Sequence, residues 1–343
     1  MSALARVSSM IGRSVATVSA MAERRAVTLQ INVAPTDLPH AVATLPHQLR
    51  HWAGQVDEVL FTLDLHRTPR GGRFAEGWLE RREPMQTLLR SLCESYSHAR
   101  IDEVGYDDEQ VGAIARRFFA SDRIPAKDTK GAPFYPYFHG LARARHDLIL
   151  HLDSDLLFGG LSQSWIAEAR ELLAARDEIL ACSPLPGPPA PDGLLHSQAG
   201  EPLALHSPAF RFSTISTRLF LIDRSRLLAR LTPLRLQGPI RPLSKMKARW
   251  HGNPPYAAAE IVLSAATAQQ SMCRVDFLGN PPGMWSLHPP YRSAAFCAAL
   301  PELINRVEAG ETPASQAGRH EIADDLFDFS SARRRARIRR IWA

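Results

Sequence analysis

The triplet Asp153-Ser154-Asp155 closes the apolar run Leu148-Ile149-Leu150-His151-Leu152. A short, nearly continuous apolar run is the mark of a central parallel strand. Along a strand, residues i and i+2 point to one side, so both carboxylates can face a single site. Two carboxylates at a strand end suit a hard divalent ion, Mg²⁺ or Mn²⁺, held beside the phosphate oxygens of a substrate. Such an ion would neutralise a departing diphosphate. Asp-X-Asp alone recurs in surface turns, and it is the preceding strand that gives this one weight. Asp37 and Asp64 also fall at or just after the ends of apolar runs.

The elements that must position these groups alternate. Residues 27–33 and 58–63 read as strands, 38–52 as a helix, 69–82 as a loop, 84–96 as a helix and 99–104 as a short strand. A helix ends near 141–145, and the 148–152 strand follows. Further on, 163–176 reads as a helix, 178–183 and 218–223 as strands, 256–270 as a helix and 274–278 as a strand. Residues 184–208 carry seven prolines and read as a long loop of the kind that forms lids or binding loops. Strands alternating with helices predict an α/β fold with a doubly wound, mainly parallel sheet, whose ligands sit beyond the carboxyl ends of the strands.

In that frame the chain resembles glycosyltransferases of the GT-A fold, closest to the family 2 type, over about residues 27–290. The resemblance is carried by Val33-Ala34-Pro35-Thr36-Asp37 at the end of the first strand, Leu60-Phe61-Thr62-Leu63-Asp64 at the end of the second, and the passage from Lys130-Gly131 to Asp153-Ser154-Asp155. It implies that Pro35, Asp37, Asp64 and Lys130 lie around the nucleotide, with Asp64 on the base. It also implies Asp153 near the ribose and metal and Asp155 on the metal. Glu260, in Tyr256-Ala257-Ala258-Ala259-Glu260-Ile261, takes the place of the catalytic base, although Ile261 stands where an Asp is expected. His288, in Trp285-Ser286-Leu287-His288-Pro289-Pro290, takes the place of a late metal ligand.

The implied function is metal-dependent transfer of a sugar from a nucleotide-diphosphate donor to an acceptor hydroxyl, with inversion. The implied acceptor is a glycan, a lipid-linked group or a small molecule. The expected layout is a nucleotide-sugar half over 26–160, an acceptor half over 161–300, a flexible arm over 1–25 and a basic helical tail over 301–343. The alternatives are a nucleotidyltransferase, which lacks its Gly-rich, Lys-containing loop here, and an inactive scaffold that binds a partner or glycan.

Each residue also has a plainer reading. Glu260 suits a helix N-terminus, where the dipole favours an acid. Asp37 and Asp64 can cap turns, and His288 can be a buried loop histidine. Lys127 and Lys130 can reach phosphates or stay in solvent, and His139 among aromatics reads as packing. Arg211, Ser213, Thr214, Ser216, Thr217 and Arg218 form a polar cluster that could line an acceptor pocket or an exposed edge strand.

The 343 residues, 45% hydrophobic and 22% charged, exclude a wholly disordered chain. No run of about 18 apolar residues suggests a membrane-spanning helix. Four cysteines without a CxxC pair speak against a zinc ribbon and fit reduced thiols in a cytoplasmic protein. The net charge is +6. The Arg-rich stretch 333–340 reads as a solvated tail or as a peripheral contact with an acidic surface, such as the inner face of a membrane. No nucleic-acid-binding motif accompanies it, which speaks against nucleic acid as the main partner.

Overall fold

The structure, a computed structural model, describes residues 25–67, 74–239 and 242–341. The expected N-terminal arm lies outside them, except for Arg25, whose guanidinium donates to Asp223 at 2.6 Å. In chain order the strands are β1 (Val27–Val33), β2 (Glu58–Leu63), β3 (Ala99–Glu103), β4 (Leu148–Asp153), β5 (Leu157–Gly159), β6 (Ile179–Pro186), β7 (Glu201–Pro202), β8 (Ala209–Phe212), β9 (Leu219–Asp223), β10 (Cys273–Phe277) and β11 (Trp285–Leu287). The helices are α1 (Leu38–Trp52), α2 (Trp78–Ser95), α3 (Asp108–Phe119), α4 (Tyr135–Arg143), α5 (Trp165–Ala175), α6 (Arg224–Leu231), α7 (Pro242–Trp250), α8 (Ala259–Gln269), α9 (Ala294–Glu308) and α10 (Ser330–Ile341).

The fold is α/β. The strands run in the order β3-β2-β1-β4-β9-β6-β10-β8-β7, with β11 joining β6 to β5. The first four are parallel, β9 is antiparallel to both its neighbours, and β6 and β10 are again parallel to each other. Side-chain alternation explains the two buried faces. Val27, Leu29, Ile31 and Val33 of β1 pack with Leu148, Leu150 and Leu152 of β4 and with α1, α2 and α5. Ile149 of β4 and Leu60 of β2 point the other way, into the layer of α3, α4, α6 and α8. A third cluster joins α9 to β5, β11 and the segment before α10.

That second face is not wholly apolar. Gln30 donates to Thr62 Oγ1 at 2.9 Å, and its Oε1 meets His151 Nδ1. Gly140 lets α4 settle on this pair, since a Cβ there would lie 2.5 Å from Gln30 Nε2.

Two expectations change. The helix expected from 84 begins at Trp78, with Pro84 inside it on an exposed face; water can solvate the carbonyl that a proline leaves unbonded. The Pro-rich loop expected over 184–208 starts later, because Pro184 and Pro186 belong to β6. β6 has parted from β9 after Cys182, so those prolines break no ladder on that side. α7 lies between 224 and 255, a stretch to which the sequence reading assigned no element. No helix among the described residues is long and apolar enough to cross a membrane. All four cysteines are free thiols.

Candidate active site at the carboxyl ends of the strands

β4 ends at Asp153, and Ser154 and Asp155 form the turn that follows. The turn is held from above by one face of α1. His40 Nε2 lies 3.0 Å from Ser154 Oγ. Thr44 donates to the Ser154 carbonyl at 2.5 Å, and Gln48 donates to the carbonyls of Asp153 and Leu156 at 3.0 and 3.1 Å. These buried polar side chains satisfy backbone acceptors that no ladder reaches, and so fix the carboxylates in place.

Asp155 is buried, and its Oδ2 takes hydrogen bonds from the Arg292 guanidinium. His288 Nε2 lies 3.5 Å from the same oxygen. Burial alone would raise the Asp155 carboxyl. Arg292, then His288 and His40, outweigh it and hold the group well below the usual carboxylate range. Burial lowers His288 to about 4, so its imidazole is neutral at pH 7. Arg292 feels Asp37 and Asp153 as well as Asp155, which keeps it charged. Asp37 closes the turn Pro35–Asp37 by accepting from Ala34 N at 2.9 Å, and burial raises its pKa.

At the end of β2, Asp64 is buried and fully engaged. Oδ1 accepts from the His66 amide at 2.9 Å and the Tyr106 hydroxyl at 2.8 Å, and Oδ2 accepts from Lys127 Nζ at 2.5 Å. The Tyr106 and His66 rings lie 4.5 Å apart beside it. Lys127 is thus the buried lysine of this loop, and Lys130 is exposed, with its amide on Asp128.

Glu260 lies in the first turn of α8, half-buried. Its Oε2 accepts weakly from the Thr217 amide and hydroxyl at 3.3 and 3.4 Å. The next residue, Arg218, gives its carbonyl to the Asp153 amide at 2.7 Å. Burial raises the Tyr137 phenol well above its usual range, and the charges of Asp153 and Glu260 add to this. Asp153, Glu260 and Tyr137 therefore share one neighbourhood.

The structure thus gathers Asp37, Asp155 and His288 around Arg292, and Asp153 with Glu260 around Tyr137. Asp64 forms a separate buried pair with Lys127, and Lys130 is exposed. His139 packs as expected and pairs with Asp102 at 2.8 Å. The sequence reading missed Arg292, four residues after His288, and the burial of Lys127. Only the basic side chain near His288 could have hinted at the first.

Asp155 Oδ1 and His288 Nδ1 are buried and have no hydrogen-bond partner. A carboxylate and an imidazole with such atoms fit a divalent ion, which would complete its shell from phosphate oxygens and water. Asp153, with a side chain 35% exposed, acts electrostatically on both His288 and Arg292. Among the described residues, the set of three whose donor atoms converge lies elsewhere: His47, His51 and Glu308.

The chain matches no family model and no curated protein. Three of the solved structures similar to it can be described. Residues 1–349 of TarS from S. aureus are 9% identical, with 76% of this chain covering 60% of that one and a TM-score of 0.40. Glucosyl-3-phosphoglycerate synthase from Mycobacterium tuberculosis, with Mn²⁺, UDP-glucose and phosphoglyceric acid, is 12% identical over 83% of this chain and 78% of that one, with a TM-score of 0.35. An active-site mutant of LgtC is 11% identical over 59% of each chain, with a TM-score of 0.28. This chain spans less than two thirds of the TarS fragment.

Proposed function

We propose that this chain transfers a glycosyl group from a nucleotide-diphosphate donor to an acceptor hydroxyl. The observation that carries the reading is the position of Asp37, Asp64, Asp153 and Asp155 at or just beyond the carboxyl ends of β1, β2 and β4, with Arg292 shared by Asp37, Asp153 and Asp155 and Tyr137 shared by Asp153 and Glu260 of α8. A doubly wound sheet binds its ligands in this crevice.

Asp64, with Lys127, Tyr106 and His66, forms the nucleotide end. Asp155 and His288 would hold a divalent cation, Mn²⁺ or Mg²⁺, which supplies Lewis-acid neutralisation of the diphosphate. Arg292 adds a fixed positive charge there. Glu260 acts as general base: the acceptor oxygen bonds to the anomeric carbon, its proton passes to Glu260, and the bond to the diphosphate breaks with its electron pair. One displacement of this kind inverts the anomeric centre. The nucleotide half then runs from about 26 to 160 and the acceptor half from about 161 to 300.

A second reading has its own observation. Arg292 on Asp155 and Lys127 on Asp64 already neutralise two of the key carboxylates, as a scaffold that has lost catalysis would tolerate. Thermal shift with UDP, GDP, CDP and dTDP, each with Mn²⁺, Mg²⁺ or EDTA, separates the two. A ligand at 100 times its dissociation constant adds about 2.7 kcal/mol of stability. A metal-dependent rise with one nucleotide is the expected result. No rise with any of them on folded protein overturns the transferase reading.

A further inference from the structure

Seven large hydrophobic side chains are strongly exposed among the described residues, and three of them stand on the nine-residue helix α7. Leu243, Met246 and Trp250 are 74%, 64% and 76% exposed. Their spacing, i, i+3 and i+7, puts them on one stripe. Ala248, on the opposite side, is fully buried and seats the helix on the body of the protein. Single exposed hydrophobics are ordinary, whereas a stripe of them marks a contact surface.

Along the chain, the charge on either side of the stripe has one sign. Residues 232–259 contain five Lys or Arg and no Asp or Glu, and two of the four lysines in the chain, Lys245 and Lys247, lie on α7. Lys245 and Arg249 are exposed beside the stripe. A short helix with an apolar face ending in Trp, whose own charged residues are all cations, suits an interface between hydrocarbon and anionic headgroups. A specific protein partner fits less well, since a stable interface takes roughly 800 Å² from each side, more than three side chains present.

We infer that α7 docks on an anionic lipid surface. The segment after α7 leads into α8 and is bonded to the loop that carries Lys127. Asn253 donates its amide to the Ala248 carbonyl at 2.8 Å, the Thr129 amide donates to the Tyr256 carbonyl at 2.9 Å, and Ala257 donates to Gln237. Glu260 follows ten residues after Trp250. Docking through α7 therefore brings the Glu260 side of the crevice close to the bilayer. If the transferase reading holds, on which this last step rests, the acceptor hydroxyl belongs to a group displayed at that surface.

The test is sedimentation of the full chain with vesicles of phosphatidylcholine plus phosphatidylglycerol, and with vesicles of phosphatidylcholine alone. Binding to the anionic vesicles is expected, weaker at high salt, with little to the neutral ones. The triple variant Leu243→Ser, Met246→Ser, Trp250→Ser should lose at least about tenfold in partitioning, and Lys245→Glu with Arg249→Glu should lose a similar amount. Both change exposed side chains, and an unchanged melting temperature verifies their fold. Three results overturn the proposal: no binding by the parent chain, equal binding by the triple variant (contact through the Arg-rich α10), or a concentration-dependent dimer that the triple variant abolishes. The nucleotide thermal shift should be the same in the parent and the triple variant, so failure of docking and failure of the transferase reading are read separately.

Discussion

Two clusters of imidazole and carboxylate lie along α1, and they teach opposite lessons about reading a metal site. Toward its C-terminal half, His47 Nδ1 and His51 Nε2 converge on Glu308 Oε1 of α9 at 2.6 and 3.0 Å. Near its N-terminus, His40 faces the cluster of Asp155, His288 and Arg292, whose donors converge less well. By distance the first set is the metal site. By hydrogen bonding it is not. The Phe158 amide donates to His47 Nε2 at 2.8 Å, and a neutral imidazole has one acceptor nitrogen and one donor. His47 Nδ1 therefore carries a hydrogen, donates to Glu308, and has no lone pair to give. Arg50 adds a third donor to the same oxygen at 2.7 Å. The trio is a clamp that fixes α9 and β5 to α1. The Asp155 cluster, by contrast, keeps a carboxylate oxygen and an imidazole nitrogen without partners. Convergence of donor atoms matters less than whether their lone pairs are already spent.

The largest expected effect breaks the comparison at its functional end. Asp155→Asn keeps the shape but removes the charge, and kcat/KM for the donor found by thermal shift should fall by about 100-fold or more. Metal-dependent nucleotide binding, read by calorimetry, should fall with it. Retained metal-dependent binding would place the metal elsewhere. Glu308→Ala should do the reverse. It strips a charged acceptor from three donors and should cost about 2–4 kcal/mol of stability in denaturant unfolding. Turnover per folded molecule should stay unchanged.

What is legible in the sequence follows the same division. β1, β2 and β4 are legible because buried parallel strands are rich in apolar and β-branched residues, and the acidic residue at or after the end of each is legible because that run stops there. The antiparallel run of β9 is not, since Leu219-Phe220-Leu221-Ile222 alternates in the same way whichever direction it takes. Lys127 and Lys130 look alike in sequence, and only the fold of the loop buries one on Asp64 and leaves the other in solvent. Arg292 meets Asp155 across 137 residues of chain, a pairing that no local pattern records. The clamp is invisible for the same reason, because Glu308 lies 261 residues beyond His47.

Acid should sharpen the contrast. Burial lowers His51 to about 4, below its ordinary 6.5. A histidine depressed on folding contributes stability that is complete above pH 6.5 and lost as pH falls from there through about 4. The Glu308 carboxyl is held below its ordinary 4.5, first by the His47 hydrogen bond, so its contribution is present above 4.5 and fades at still lower pH. Melting temperature should therefore decline below pH 6.5 and fall further below 4.5. His51→Gln should flatten the first part of that decline; an unchanged slope would remove His51 from the clamp's acid sensitivity.

The smallest expected effect is none, and it bears most directly on the tautomer argument. Metal bound per chain, measured by equilibrium dialysis with Mn²⁺ in the presence of the stabilising nucleotide, should not change in His47→Gln with His51→Gln. The same measurement on His288→Gln should show a loss. The reasoning runs through one hydrogen atom. If the Phe158 amide occupies the only acceptor nitrogen of His47, the other nitrogen cannot bind a cation without losing its proton, and a neutral imidazole does not give that proton up near pH 7. A fall in bound metal in the double variant would mean that the amide bond to Nε2 yields to the cation. The clamp would then be a metal site after all, and distance would be the better guide.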